Sequence, residues 1–197
     1  MLVVDVEGTG LDFQKLSLLS IGAIDLNNPS NTFYEECRIW QGAHVDPESL
    51  KYNGFTIEEI NDPTKKSEEE ILKDFINWAS ILPDFTFAGQ NVFFDYECLR
   101  QAAMRYHLNW PFAQRIIDVH SVCLAHMIKK GIIPPLQNHH SSLNSDAVCQ
   151  YVGIPAEPKP HRTPLGGAKW EAEALSRLLY DKNLLEEFAQ YSIPWIK

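Results

Sequence analysis

Two acidic residues alternate with a valine in the opening run MLVVDVEGTGLD, and they are the first residues here whose types and spacing could do chemistry. In a strand the side chains change face at every step, so Asp5 and Glu7 would share one face, about 7 Å apart at the backbone. Two carboxylates together at the end of an apolar strand are costly unless something positive lies between them. A divalent cation with oxygen ligands meets that need. The plainer alternative, a half-exposed strand whose acids face water, is favoured for D-x-E alone, and the apolar lead-in and the Gly-Thr-Gly stop weaken it here. Further along, Asp95 stands four residues after Asn91 in NVFFD, and His161 sits in the Pro-rich stretch between Pro155 and Pro164. Taken alone, Asp95 reads more readily as a first-turn acid favoured by a helix dipole than as a ligand, and His161 as a solvated loop residue.

The elements that must position these residues can be read from periodicity and punctuation. Met1 to Glu7 is predicted as a strand stopped by Gly8-Thr9-Gly10, Lys15 to Leu26 as a second, and Thr32 to Ile39 as a third beyond the turn cluster Asn27–Asn31. Asp46-Pro47 predicts a capped short helix ended by Tyr52-Asn53-Gly54, and Thr56 to Glu59 is a capping box. Ser67 opens a longer helix with Ile71, Leu72, Phe75 and Ile76 on one face. A short strand Asp84–Ala88, a helix Asp95–Tyr106, a brief strand Arg115–Ile117 and a helix to Lys130 follow, with Asp118 expected to cap the last of these. Gly131 to His140 reads as a loop, with His139-His140 polar surface for want of a third metal ligand. Helices are expected over Leu143–Tyr151, Ala168–Tyr180 and Leu184–Tyr191, with 193–197 a short tail. The aromatics Phe87, Phe93, Phe94, Trp78 and Trp170 lie on apolar faces and are expected mostly in the core. Strands first and then strand–helix alternation imply an α/β protein, a mixed sheet covered by helices.

Bulk properties set limits on function. The chain has 197 residues, 45% hydrophobic and 22% charged, which predicts a single domain over 1–197 with a sizeable core. With 26 acids against 17 Lys and Arg the formal charge is -9, so no broad basic field attracts polyanions, although a bound ion can still recruit one locally. Cys37, Cys98, Cys123 and Cys149 form no C-x-x-C pair and are expected as reduced thiols in a cytoplasmic protein. No apolar run approaches the ~20 residues of a membrane helix, so no membrane partner is expected. Lys65-Lys66, Lys129-Lys130 and Lys159 with Arg162 are the few basic clusters, of which Arg162 is the best placed to meet a phosphate.

DVEGTGLD, GQNVFFDYECLR, IIDV and HRTPLGGAKWEAEA, in that order, resemble the motifs of the DEDDh 3'-5' exonucleases, over Met1 to about Leu179. The resemblance implies a ribonuclease H-like fold: a mixed five-stranded sheet, three antiparallel strands and then parallel ones, flanked by helices. It also implies that Asp5, Glu7 and Asp95 are catalytic metal ligands and that His161 is the general base. Two cations, Mg²⁺ or Mn²⁺, would hold the terminal phosphate of a single-stranded DNA or RNA 3' end and activate a water, releasing nucleoside 5'-monophosphates. Gly8, Thr9, Gly10 and Leu11, with Tyr52, Asn91 and Arg162, would contact substrate. Many members are dimers, so a homodimer is among the expected assemblies.

The departures from the pattern are informative too. Gly8 replaces a usual threonine and Gln90 a frequent histidine, both tolerable changes. Where the family has its last aspartate, directly before the alanine of a helix, this chain has Gly167 before Ala168, and His161 is one residue further away than the pattern requires. Glu171 lies one turn on, roughly 6 Å along a helix, a long way against a metal–ligand bond of ~2.1 Å. The expectation is therefore an exonuclease with one ion weakened and activity impaired. Its rivals are an inactive exonuclease-like protein that binds nucleic-acid ends or a protein partner, and an unrelated metal-dependent phosphoesterase.

Overall fold

A computed structural model of the chain describes residues 1–158 and 163–196. The opening apolar run forms β1 (Leu2–Gly8), and β2 (Leu18–Asp25) pairs with it antiparallel, setting Asp5 opposite Gly22 and Glu7 opposite Ser20. β3 (Asn28–Arg38) returns antiparallel to β2. The strand begins earlier than the Asn-rich cluster suggested. The Asn27 N–H donates to Asp25 Oδ1 at 2.9 Å, which closes the reversal tightly and frees Asn28 to pair. The short helices α1 (Pro47–Asn53) and α2 (Ile57–Ile60) begin at the caps read from sequence, Asp46 and the Thr56–Glu59 box.

β4 (Lys66–Ser67) runs parallel to the end of β3, pairing Cys37 with Lys66 and Arg38 with Ser67. The sheet therefore has six strands in the order β4-β3-β2-β1-β5-β6, where five were expected. The extra edge was hidden because Ser67 also caps α3 (Glu68–Ser80), so the residues carry a helix-start signal rather than a strand pattern. β5 (Phe87–Gly89) lies parallel to β1, α4 (Phe93–Arg105) follows, and β6 (Ile117–Asp118) lies parallel to β5. Asp118 caps α5 (Val119–Lys129) as expected, its carboxylate accepting from the Ser121 N–H at 3.2 Å. The expected loop after α5 contains a small hairpin, β7 (Leu136–Gln137) and β8 (His140–Ser141). Its turn residues Asn138 and His139 both have positive φ, the geometry that two-residue hairpin turns need. α6 (Ser145–Val152) and α7 (Pro164–Tyr180) complete the helices.

The sheet separates two cores. Leu2, Val4 and Val6 pack with Phe75, Phe87 and Leu99 on the α3–α4 side, while Val3 packs with Val119, Ala168, Ala172 and Leu175 on the side of α5, α6 and α7. α7 starts four residues before the predicted Ala168. The Gly166-Gly167 pair is poor helix sequence, but Thr163 caps the Gly166 N–H at 3.1 Å and Pro164 pre-sets the first turn. That turn lies flush on β2 at Gly22, where a Cβ would fall 2.0 Å from the Leu165 nitrogen, so only glycine allows the approach.

The segment 184–191 is not the predicted α-helix; only Glu186–Phe188 forms a 3-10 turn. Its backbone groups are taken by α7 instead. Glu173 Oε2 accepts from the Leu184 and Leu185 N–H groups at 2.8 and 2.9 Å. Arg177, fully buried and paired with Glu173 at 2.7 Å, donates to the carbonyls of Val152, Phe188 and Tyr191. All four cysteines are free and buried. Among the described residues no helix is long and apolar enough to cross a membrane.

Candidate active site

Alternation along β1 puts Asp5 and Glu7 on the face of Val3, toward α7, with Val4 and Val6 turned into the opposite core. Between the two acids, the Val6 N–H donates to Asp95 Oδ1 at 3.0 Å, so a backbone bond docks the first turn of α4 against the end of β1. Asn91, at φ 54, turns the chain from β5 into α4, a conformation that asparagine tolerates better than most residues. Asp5, Glu7 and Asp95 thus line one cavity of about 660 Å³, and Glu171 of α7 lines it with them.

No Lys, Arg or His is among the described residues lining this cavity. Burial pushes the Asp95 carboxyl well above the usual carboxylate range, and the charges of Asp5 and then Glu7 raise it further against the opposing pull of the Val6 N–H. The donors are all hard oxygens gathered where negative charge is unfavourable, which fits a divalent cation. Among the described residues no three acidic, histidine or cysteine side chains are already drawn close enough to hold one ion.

Most of the predicted substrate residues surround the same cavity. Gly8 and Gly10 line its floor, Leu11 and Tyr52 stand at its rim with 76% and 58% of their surfaces exposed, and Asn91 is at the lip beside Phe94. Thr9 is not among the lining residues. Its hydroxyl is buried, donating to the His44 carbonyl at 2.7 Å and accepting from the Ser17 N–H at 2.8 Å, so it holds the Gly-Thr-Gly bend in shape. Asn53 is also a brace, its amide donating to the Gly8 carbonyl at 3.0 Å. His161 and Arg162 lie outside the described residues. Phe93, expected in the core, is 57% exposed, because α4 begins two residues before Asp95 and turns that ring outward.

The wall opposite β1 comes from Asn144 and Ser145 at the start of α6, tied to β5 by the Gln90 amide donating to the Leu143 carbonyl at 2.9 Å. Their sequence shows only a helix cap, and nothing in it points to a cleft. Asp46 and Glu48, at the start of α1, also line the cavity and were likewise read only as cap and first turn.

A family model described as "Exonuclease", of the RNase T type, matches residues 2–163. The chain belongs to the DEDDh 3'-5' exonuclease family. Among curated exonucleases, Ribonuclease T of Haemophilus influenzae (strain ATCC 51907 / DSM 11121 / KW20 / Rd) is 33% identical over 76 residues, a match covering 35% of this chain and 32% of that protein. The chain thus spans about a third of the length of the curated exonuclease that it matches. Among solved structures, the nuclease domain of 3'hExo bound to rAMP superposes with a TM-score of 0.71 at 16% identity, covering 93% of each chain. E. coli Exonuclease I in complex with a dA16 oligonucleotide gives 0.71 at 17% identity, over 92% of this chain and 40% of the other. These likenesses show that the exonuclease fold here is ribonuclease H-like, with its antiparallel strands first and its parallel strands after.

Proposed function

We propose that this chain is a metal-dependent exonuclease that shortens single-stranded DNA or RNA from the 3' end and releases nucleoside 5'-monophosphates. The observation that carries the reading is the convergence of Asp5, Glu7 and Asp95, from one strand and a distant helix, on a single cavity without a basic side chain among its described lining residues. Asp5, Glu7 and Asp95 would hold the Mg²⁺ or Mn²⁺ ions, two as in the family. Bound there, such cations neutralise phosphate charge and lower the pKa of an attacking water.

The remaining roles belong to the chain. An acidic cavity in a protein of charge -9 repels a bare phosphate, so nucleic-acid binding is conditional on the ions and local to this cleft. Gly8 and Gly10 let the terminal nucleotide approach the backbone closely, and the exposed Leu11 and Tyr52 offer apolar surface to its base. His161 takes the water's proton, which suits a side chain titrating near neutrality, and Arg162 meets the phosphate. The dA16 bound by Exonuclease I and the rAMP bound by 3'hExo are the kinds of substrate and product this reading requires.

A second reading, a chain that binds ends without cutting them, draws on one observation, the glycine at position 167. The test uses 5'-labelled single-stranded DNA and RNA with Mg²⁺ or Mn²⁺. The expected result is a ladder shortening from the 3' end, slowed by at least about 100-fold in Asp5→Ala. Retention of intact oligonucleotide without cleavage would favour the second reading. Cleavage unaffected by Asp5→Ala would overturn the site.

A further inference from the structure

We infer that Glu171 supplies the carboxylate that position 167 lacks; this rests on the exonuclease reading of the cavity. The first turn of α7 lies directly against β1. A Cβ on Gly167 would fall 1.9 Å from Asp5 Oδ2 and 2.9 Å from its Cγ, the outer atoms of a side chain that can rotate aside.

One turn along, Glu171 returns to the same face of α7. The distance along the axis does not decide its reach. Helical side chains lean toward the N-terminus, so the Glu171 carboxylate falls back over the turn of Gly167, and glutamate is one methylene longer than aspartate. Glu171 is buried, lines the cavity of Asp5, Glu7 and Asp95, and has Oε2 3.0 Å from where a Cβ on Gly89 would sit. That same point is 3.0 Å from the carbonyl of Val4, the residue before Asp5. The neighbours Ala168, Ala172, Ala174 and Leu175 make the buried part of this helix apolar.

Mn²⁺ alone, titrated calorimetrically into the full chain, tests the assignment without recourse to turnover. Glu171→Gln is expected to weaken Mn²⁺ binding by at least about tenfold, no less than the loss of an outer partner of a metal ligand. Wild-type affinity and stoichiometry in Glu171→Gln, alongside loss of binding in Asp5→Asn, would overturn the Glu171 assignment while leaving the exonuclease reading intact. Identical Mn²⁺ uptake by wild type and Asp5→Asn would remove the underlying reading and this inference with it. Should Glu171→Gln lose its circular dichroism spectrum, Glu171→Asp, which withdraws the charge by one methylene, is read in its place with the same outcomes.

Discussion

Asp95 is where ionisation conflicts most plainly with burial. It is 6% exposed, faces the charges of Asp5 and Glu7, and accepts from the backbone N–H groups of Val6 and of Asp95 itself as partial compensation. Asparagine keeps an Oδ1 for the Val6 N–H and removes the charge. Metal-free Asp95→Asn should therefore be more stable than the parent by on the order of 1 kcal/mol, roughly 2–4 °C in Tm for a chain of this size. Scanning calorimetry in EDTA reads this, and a lower Tm would mean that the carboxylate serves the scaffold rather than a ligand. That Asp5 and Glu7 share one face was legible because period-two alternation is a local signal, whereas Asp95 was singled out only by its resemblance to a family motif. Glu171 was set aside on axial distance, which neglects the backward lean of helical side chains. The close approach of Gly167 to Asp5 spans most of the chain and leaves no local trace.

At the scale of elements, α7 does two things. Its first turn packs on β2 at Gly22 and on β1 at Asp5, and its last turns anchor the segment after it through Glu173 and Arg177. Both partners of that pair are fully buried, so neither charge is tolerable alone. Arg177→Met should cost roughly 3–5 kcal/mol in urea unfolding, because it strands the Glu173 carboxylate and removes the donor from the carbonyls of Val152, Phe188, Tyr191 and Ser192. A loss under 1 kcal/mol would show that the segment 184–191 holds itself in place. Caps were legible at Asp46, Thr56, Ser67 and Asp118, since each is a short-range bond between a side chain and the backbone beside it. The early start of α7, the collapse of the following helix to a 3-10 turn and the two-residue β4 were not. Each depends on contacts with residues far away in sequence.

For the whole molecule, the order β4-β3-β2-β1-β5-β6 puts β1 between the antiparallel β2 and the parallel β5. The acids of β1 therefore lie beside the C-terminal end of β5 and the first turn of α4, where loops converge. The overall charge of -9 works against nucleic acid everywhere except where cations invert the local sign. Crystals grown with Mn²⁺ and a nucleoside 5'-monophosphate, measured at the manganese absorption edge, test this most directly. The predicted result is anomalous density about 2.1–2.4 Å from the carboxylate oxygens of Asp5, Glu7 and Asp95, with the nucleotide phosphate against it. Manganese bound elsewhere, with those carboxylates lacking metal and the nucleotide outside the cavity, would contradict the exonuclease mechanism.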